Sequence, residues 1–285
     1  MAQDVLLPEG ISQDYIFTKS IAGTPKIILK NGVYHFKKKW TFKEYETQND
    51  SLKLKFNFKS FDNQSFTALN DSLATYLIIS GGGHVFSQTN KGLVKEDSSV
   101  EQKNQFESSV FTHKNQIYMY GGYGFWTFKD YITTFDTSTG QWELVSTKPD
   151  FVPQKRWKAI FQVLNDKLYV LGGRNSPKDS EIKDVVLNDY FYFDLLTKTF
   201  VDLGEINPEI PVKYSYKSNV NFELKKAYLE KNKIVIFNFK NDTVTSFHKE
   251  NLFEGIDTNR PVIEHLDTLY FIKNKNNKSF LARFP

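Results

Sequence analysis

Apolar and polar residues alternate with period two in the most informative segments of the chain, and these runs are punctuated by glycine or asparagine. Tyr76-Leu77-Ile78-Ile79-Ser80 leads into Gly81-Gly82-Gly83, Gln116-Ile117-Tyr118-Met119-Tyr120 into Gly121-Gly122, and Lys167-Leu168-Tyr169-Val170-Leu171 into Gly172-Gly173. Period two over four to eight residues is the mark of a half-buried strand. A glycine pair at its end supplies a positive φ or lets another backbone come close. The same pattern without the glycine pair recurs over Lys26 to Phe36, Asn232 to Phe239 and Thr268 to Lys273. The expected class is all-β.

After two of the glycine pairs comes a second strand with a signature of its own. Tyr131-Ile132-Thr133-Thr134-Phe135-Asp136 is followed by Thr137-Ser138-Thr139-Gly140-Gln141-Trp142, and Tyr190-Phe191-Tyr192-Phe193-Asp194 by Leu195-Leu196-Thr197-Lys198-Thr199-Phe200. Each reads as a hairpin: Asp opens the turn, and aromatics seven residues apart flank it on adjacent strands. Strand, glycine pair, strand with aromatic-Asp, turn, aromatic resembles the kelch repeat, one four-stranded propeller blade of about 50 residues. The resemblance covers two repeats within about residues 104–203, and Lys155-Arg156 before Trp157 to Phe161 stands where such repeats carry an Arg.

Strand centres near Ile28, Ile78, Tyr118, Tyr169, Val235 and Tyr270 mark the blade phase. They predict six four-stranded blades, with seven as the alternative count, in a single domain over 1–285 whose first ten residues are an extended lead-in. The long interval from Tyr169 to Val235, with Pro208 to Pro211 and Tyr214 to Glu230, is expected to hold an insertion or a degenerate blade. Ring closure by an N-terminal strand is expected, since it removes open edges, with Asp14-Tyr15-Ile16-Phe17 as the candidate.

Composition supports this picture and narrows function only slightly. The 285 residues are 40% hydrophobic and 16% aromatic, with 26 Phe and 15 Tyr against two Met. That is ample for a packed core and suits pleated surfaces. No apolar run reaches the roughly 18–20 residues of a membrane helix. The net charge of +4 comes mostly from scattered Lys, as in Lys37-Lys38-Lys39, so no nucleic-acid partner is expected. There is no cysteine, which removes disulfides, thiolate zinc sites and thiol nucleophiles. Met1-Ala2-Gln3-Asp4 has neither a basic nor an apolar leader region, as after replacement of a cleaved leader or at a plain cytosolic start. The first, a periplasmic or cell-surface location in a bacterium, is slightly favoured.

The resemblance implies a ligand face built from the loops after the glycine pairs and the segments entering each innermost strand. The candidates there are His84, Tyr123, Phe125, Trp126, Arg174 and Asn175 from the first set, and Arg156, Trp157 and Arg260 from the second. Arginine occurs only four times, and three of the four fall at these positions. Its planar fork suits a carboxylate or phosphate. Beside Trp126 and Phe125 it fits a small anionic or sugar-like ligand, or a protein or peptide partner. For Arg156 and Arg260 the alternative is hydrogen bonding to carbonyls of a neighbouring blade. The five His are dispersed, and no catalytic residue, metal or cofactor is expected. The function expected is a non-enzymatic recognition module, such as the extracytoplasmic part of a bacterial sensor or surface protein. The alternatives are a carbohydrate mutarotase or isomerase on a kelch propeller and a cytosolic interaction scaffold.

Overall fold

The structure, a computed structural model, describes residues 4–11, 14–46, 61–79, 81–99, 103–148, 151–176, 185–206, 219–222, 225–229, 232–241, 243–248 and 253–284. These residues contain no helix and form six four-stranded antiparallel sheets arranged as a six-bladed β-propeller. Blade 1 comprises Ile16–Lys19, Pro25–Ile28, Gly32–Phe36 and Trp40–Glu44. Blade 2 comprises Phe66–Asn70, Thr75–Ile79, Val85–Thr89 and Gly92–Lys95. Blade 3 comprises Ser109–His113, Gln116–Tyr120, Ile132–Asp136 and Gln141–Leu144, with an extra hairpin, Tyr123–Gly124 and Thr127–Phe128, between its second and third strands. Blade 4 comprises Ile160–Leu164, Lys167–Asn175, Val185–Asp194 and Thr199–Glu205. Blade 5 comprises Asn219–Phe222, Lys225–Leu229, Lys233–Asn238 and Thr243–His248. Blade 6 takes Ile263–His265, Thr268–Lys275 and Lys278–Phe284 from the end of the chain and Val5–Leu6 from its beginning.

The aromatic-Asp hairpins have the expected construction. Phe135 pairs with Trp142 and Phe193 with Phe200, at ring-centroid distances of 5.3 and 4.7 Å. Asp136 accepts the Ser138 amide, and Asp194 accepts those of Leu196 and Thr197. The turn position filled by Gly140 in blade 3, at φ +70, is filled by Lys198 in blade 4, at φ +61. Trp142 then donates from Nε1 to the Gly83 carbonyl in blade 2, at 2.7 Å, so one indole ties two blades. Alternating apolar faces of adjacent blades close into clusters such as Tyr120, Ile132, Leu168, Val170, Phe191 and Phe193 between blades 3 and 4.

Two expectations about phase are corrected. Five of the strand centres lie on second strands, but Val235 lies on the third strand of blade 5, whose second strand is Lys225–Leu229. The long interval therefore includes the inner hairpin of a regular four-stranded blade; Pro208 to Pro211, like Ser80, lie outside the described residues. The closing strand is also different. Val5 pairs with Leu281 and Leu6 with Phe280, whereas Ile16–Lys19 is the innermost strand of blade 1. Tyr15, Ile16 and Phe17 are all buried, as an innermost strand and its entry require.

Candidate functional site

The start of each innermost strand and the end of each second strand lie at the same end of a blade, because the two are antiparallel neighbours. The backbone stitches these segments together. Phe106 bridges Tyr123, Trp157 bridges Arg174, and Ile256 bridges Lys273. Gly122 has φ +97 and donates its amide to the Arg156 carbonyl at 2.7 Å; a Cβ there would sit 2.9 Å from the Gln105 backbone. Gly173 is its equivalent in blade 4, at φ +108 with the Trp157 carbonyl 2.9 Å from where a Cβ would be. The glycine pairs thus exist to let the entry segment lie flat against the strand end.

On this floor stands the blade 3 hairpin. Tyr123 pairs with Phe128 and Gly124 with Thr127, leaving Phe125 and Trp126 as the two turn residues, at φ +49 and +64. Positive φ at both central positions is the type I′ requirement, normally met by Asn-Gly. Here two bulky aromatics occupy it, and they are 68% and 85% exposed. Behind the tip, Trp157 lies within 6.3 Å, centroid to centroid, of Phe106, Tyr123 and Phe128. The Lys158 ammonium sits 4.3 Å over the indole. Arg174, partly exposed, is bound to Trp157 through both backbone hydrogen bonds of the bridge, at 2.9 and 3.0 Å.

Of the sequence candidates, the fold thus gathers Tyr123, Phe125, Trp126, Trp157 and Arg174 around blades 3 and 4. Asn175, half-buried, extends the same strand and pairs with Val185. The other two arginines belong to this end of the propeller but are occupied by the protein. Arg156 is 1% exposed: it forms a fork with both carboxylate oxygens of Asp189, at 2.8 and 2.5 Å, and donates to the Gly172 carbonyl and the Gln154 carbonyl. Its guanidinium also lies 4.7 Å over the Phe191 ring. Arg260, equally buried, donates to the Tyr15 carbonyl and to Asn63, stacks on the Tyr15 ring at 4.0 Å and pairs with Asp257. Asp189 belongs to Arg156's own blade, while the Arg156 backbone bonds Gly122 and Lys129 of blade 3, so that arginine ties blade 4 to blade 3, and Arg260 crosses from blade 6 to the entries of blades 1 and 2. His84 is likewise engaged, with Nδ1 2.8 Å from Asp97. Burial pushes the Asp97 carboxyl up, but hydrogen bonds from His84 and Ser99 and the charge of Lys103 outweigh it and hold the group below its ordinary value.

Along the axis runs a cavity of about 550 Å³, lined by innermost-strand residues of all six blades, among them Thr18, Ala68, Thr112, Gln162, Asn219 and Glu264. Sequence reasoning missed the ionisable group that this cavity buries, Lys226, as it missed Lys158 and the second rank of aromatics, Phe106 and Phe128. Lys226 and Tyr228 share one face of a period-two strand, which the alternation shows; that this face turns to blade 4 and the cavity depends on the blade phase, which the sequence pattern does not give there. Among the described residues no three His, Asp or Glu side chains converge as metal ligands.

Comparison with protein-family models and with curated proteins finds no match to this chain. Architecture therefore defines the class: a six-bladed β-propeller with an aromatic hairpin raised on one face.

Proposed function

We propose that this propeller is a recognition module that binds through the hairpin tip and the aromatic floor of blades 3 and 4. The observation that carries the reading is the conformation of Phe125 and Trp126. Left-handed backbone at a bulky residue costs about 1–2 kcal/mol and is retained chiefly where function holds it. Exposing both rings adds the cost of wetting them, so the local arrangement serves something other than stability. The rings project from a base that Trp157 and Tyr123 make rigid, as a preorganised contact should be. Lys158 and Arg174 add positive charge beside the rings, which fits an anionic ligand with a sugar-ring or apolar face. The kelch-like hairpins of blades 3 and 4 support the same reading, since the implied ligand face is this one.

The test is a glycan array that includes uronic and other acidic sugars, probed with the full chain and with a variant in which Phe125→Asn and Trp126→Gly rebuild the turn as Asn-Gly. Wild type is expected to select acidic glycans. The variant should lose at least about tenfold in affinity, the equivalent of about 1.4 kcal/mol. Selective binding that survives the exchange unchanged would overturn the assignment of the tip.

A further inference from the structure

The central cavity holds a feature that recognition at the loop face does not use. Lys226, on the second strand of blade 5, is 5% exposed and lines the cavity. Its one hydrogen-bond acceptor among the described residues is the Phe161 carbonyl in blade 4, at 2.7 Å. Two rings flank the amine, Phe161 at 4.5 Å and Tyr228 at 5.9 Å. No described carboxylate pairs with it. The ionisable groups that share the cavity wall are Lys19, Glu107, Lys158, Glu264 and Tyr228, and burial alone displaces Lys226, pushing it down to about 7. A lysine so placed is a neutral amine at pH 7 far more often than an exposed one, for which the neutral share is roughly one part in 2,500. Desolvated lysines of this kind are the ones that attack carbonyls.

Lys26 supplies the contrast. It is as buried, 3% exposed, and burial pushes it down to about 8. Its amine, however, is held between Thr75 Oγ1 at 2.6 Å and Gln88 Oε1 at 3.2 Å, at the seam of blades 1 and 2, and it is not part of the cavity wall. Lys226 has the cavity and a single carbonyl; Lys26 has two side-chain oxygens and no cavity.

We propose that Lys226 is a covalent site in the central cavity that takes small aldehydes, open-chain aldoses included, as a reversible imine. The Nζ lone pair attacks the aldehyde carbon, forming the N–C bond while the carbonyl π pair moves to oxygen. That oxygen takes a proton from nitrogen and gives a carbinolamine. Loss of the hydroxyl with the second amine proton, as water, leaves the neutral C=N bond. Nothing is oxidised or reduced. The Phe161 carbonyl accepts an N–H before the attack and so orients the lone pair. The site is independent of the hairpin face, and either can fail without the other.

The full chain, treated at pH 7 with glyceraldehyde and cyanoborohydride to low conversion, should carry the reduced adduct first at Lys226 on peptide mapping. Exposed lysines should follow at least about tenfold more slowly, because few of them are neutral. That lead should shrink by roughly fifty-fold between pH 7 and pH 9 as the exposed amines lose their protons. Lys226→Met should abolish the fast phase, with the thermal transition confirming the fold; the mapping on wild type stands without it. Adducts spread over exposed lysines with Lys226 unmodified would overturn the proposal. So would modification of Lys26 at the same rate, since proton affinity rather than the cavity would then decide reactivity.

Discussion

At Phe125 and Trp126 the backbone works against the side chains, and that conflict has a measurable consequence. Asn-Gly at the two positions removes two left-handed aromatics and two exposed rings, so the variant that loses recognition should be the more stable protein. The expected gain is on the order of 1–2 kcal/mol in denaturant unfolding. An unchanged or lower midpoint would mean that the rings are held by packing after all. The buried amines make the same kind of statement about pH. Lys226 and Lys26 bind their protons more weakly in the folded chain, near pH 7 and 8, than in the unfolded chain, where lysine titrates near 10.4. Their contribution to stability should therefore be flat below about pH 7 and climb from there towards about pH 10, by on the order of a few kcal/mol. Above pH 10 the sign reverses at Tyr15, whose hydroxyl burial pushes up to about 12, because the folded chain keeps a proton that the unfolded chain sheds. Denaturation midpoints measured from pH 6 to 11 should peak near 10. The double variant Lys26→Met, Lys226→Met should flatten the climb; an unchanged slope would place the titration elsewhere.

At the scale of the strand and blade, what could be read in the chain was whatever a short motif forces. The glycine pair at or near the end of a second strand is one case; in blade 4 the strand runs through it, with a register shift, to Asn175. At Gly173 the φ of +108 and the Trp157 carbonyl 2.9 Å from a would-be Cβ both exclude a side chain, so the residue type announces the geometry. Gly173→Val should cost roughly 1–3 kcal/mol, read from the shift of the unfolding midpoint. A midpoint equal to wild type would show that the entry segment moves aside freely. The aromatic-Asp hairpin is the second case, since Asp136 and Asp194 each cap a turn with amides two or three residues on. Blade 5 was misphased because its second strand, Lys225–Leu229, carries two lysines and is followed by no glycine, while the more apolar Ile234-Val235-Ile236-Phe237 beside it reads as the stronger strand. The closing strand spans only two residues, too few to show a period. At the site, the placement of Tyr123, Phe125, Trp126, Trp157 and Arg174 at one end of blades 3 and 4 was legible from the motif's phase, although Arg174 lies on a strand that runs past the glycines rather than on a loop. The burial of Arg156 was not, since it depends on Asp189, 33 residues away.

Closure of the ring is a property of the whole molecule, and two fasteners hold the seam between blades 6 and 1. At the outer edge Val5–Leu6 pairs with Lys278–Phe284, the Leu7 amide bonds to the Ser279 carbonyl at 3.0 Å, and Leu7 packs among Phe17, Ile27 and Ile272. At the loop end Arg260 binds the Tyr15 carbonyl and Asn63, whose amide side chain in turn bonds both the amide and the carbonyl of Phe17. The first joins the two ends of the chain within the blade 6 sheet and the second crosses from blade 6 to blades 1 and 2, so each stabilises the closed circle. Deleting residues 1–7 removes the buried Leu7, worth about 2 kcal/mol, and ladder bonds worth about 1 kcal/mol each. It also bares the edge of Lys278–Phe284, which invites pairing with a second chain. Truncation should therefore lower the unfolding midpoint and raise the apparent mass at high concentration. Arg260→Met alone should destabilise too, by leaving Asp257 and the Tyr15 carbonyl short of a donor. The two changes together should cost less than the sum of their separate effects, because once one opens the seam the other has little left to hold. Strict additivity in a double-mutant cycle would mean that the two contacts hold different parts of the molecule and that closure is not one cooperative event.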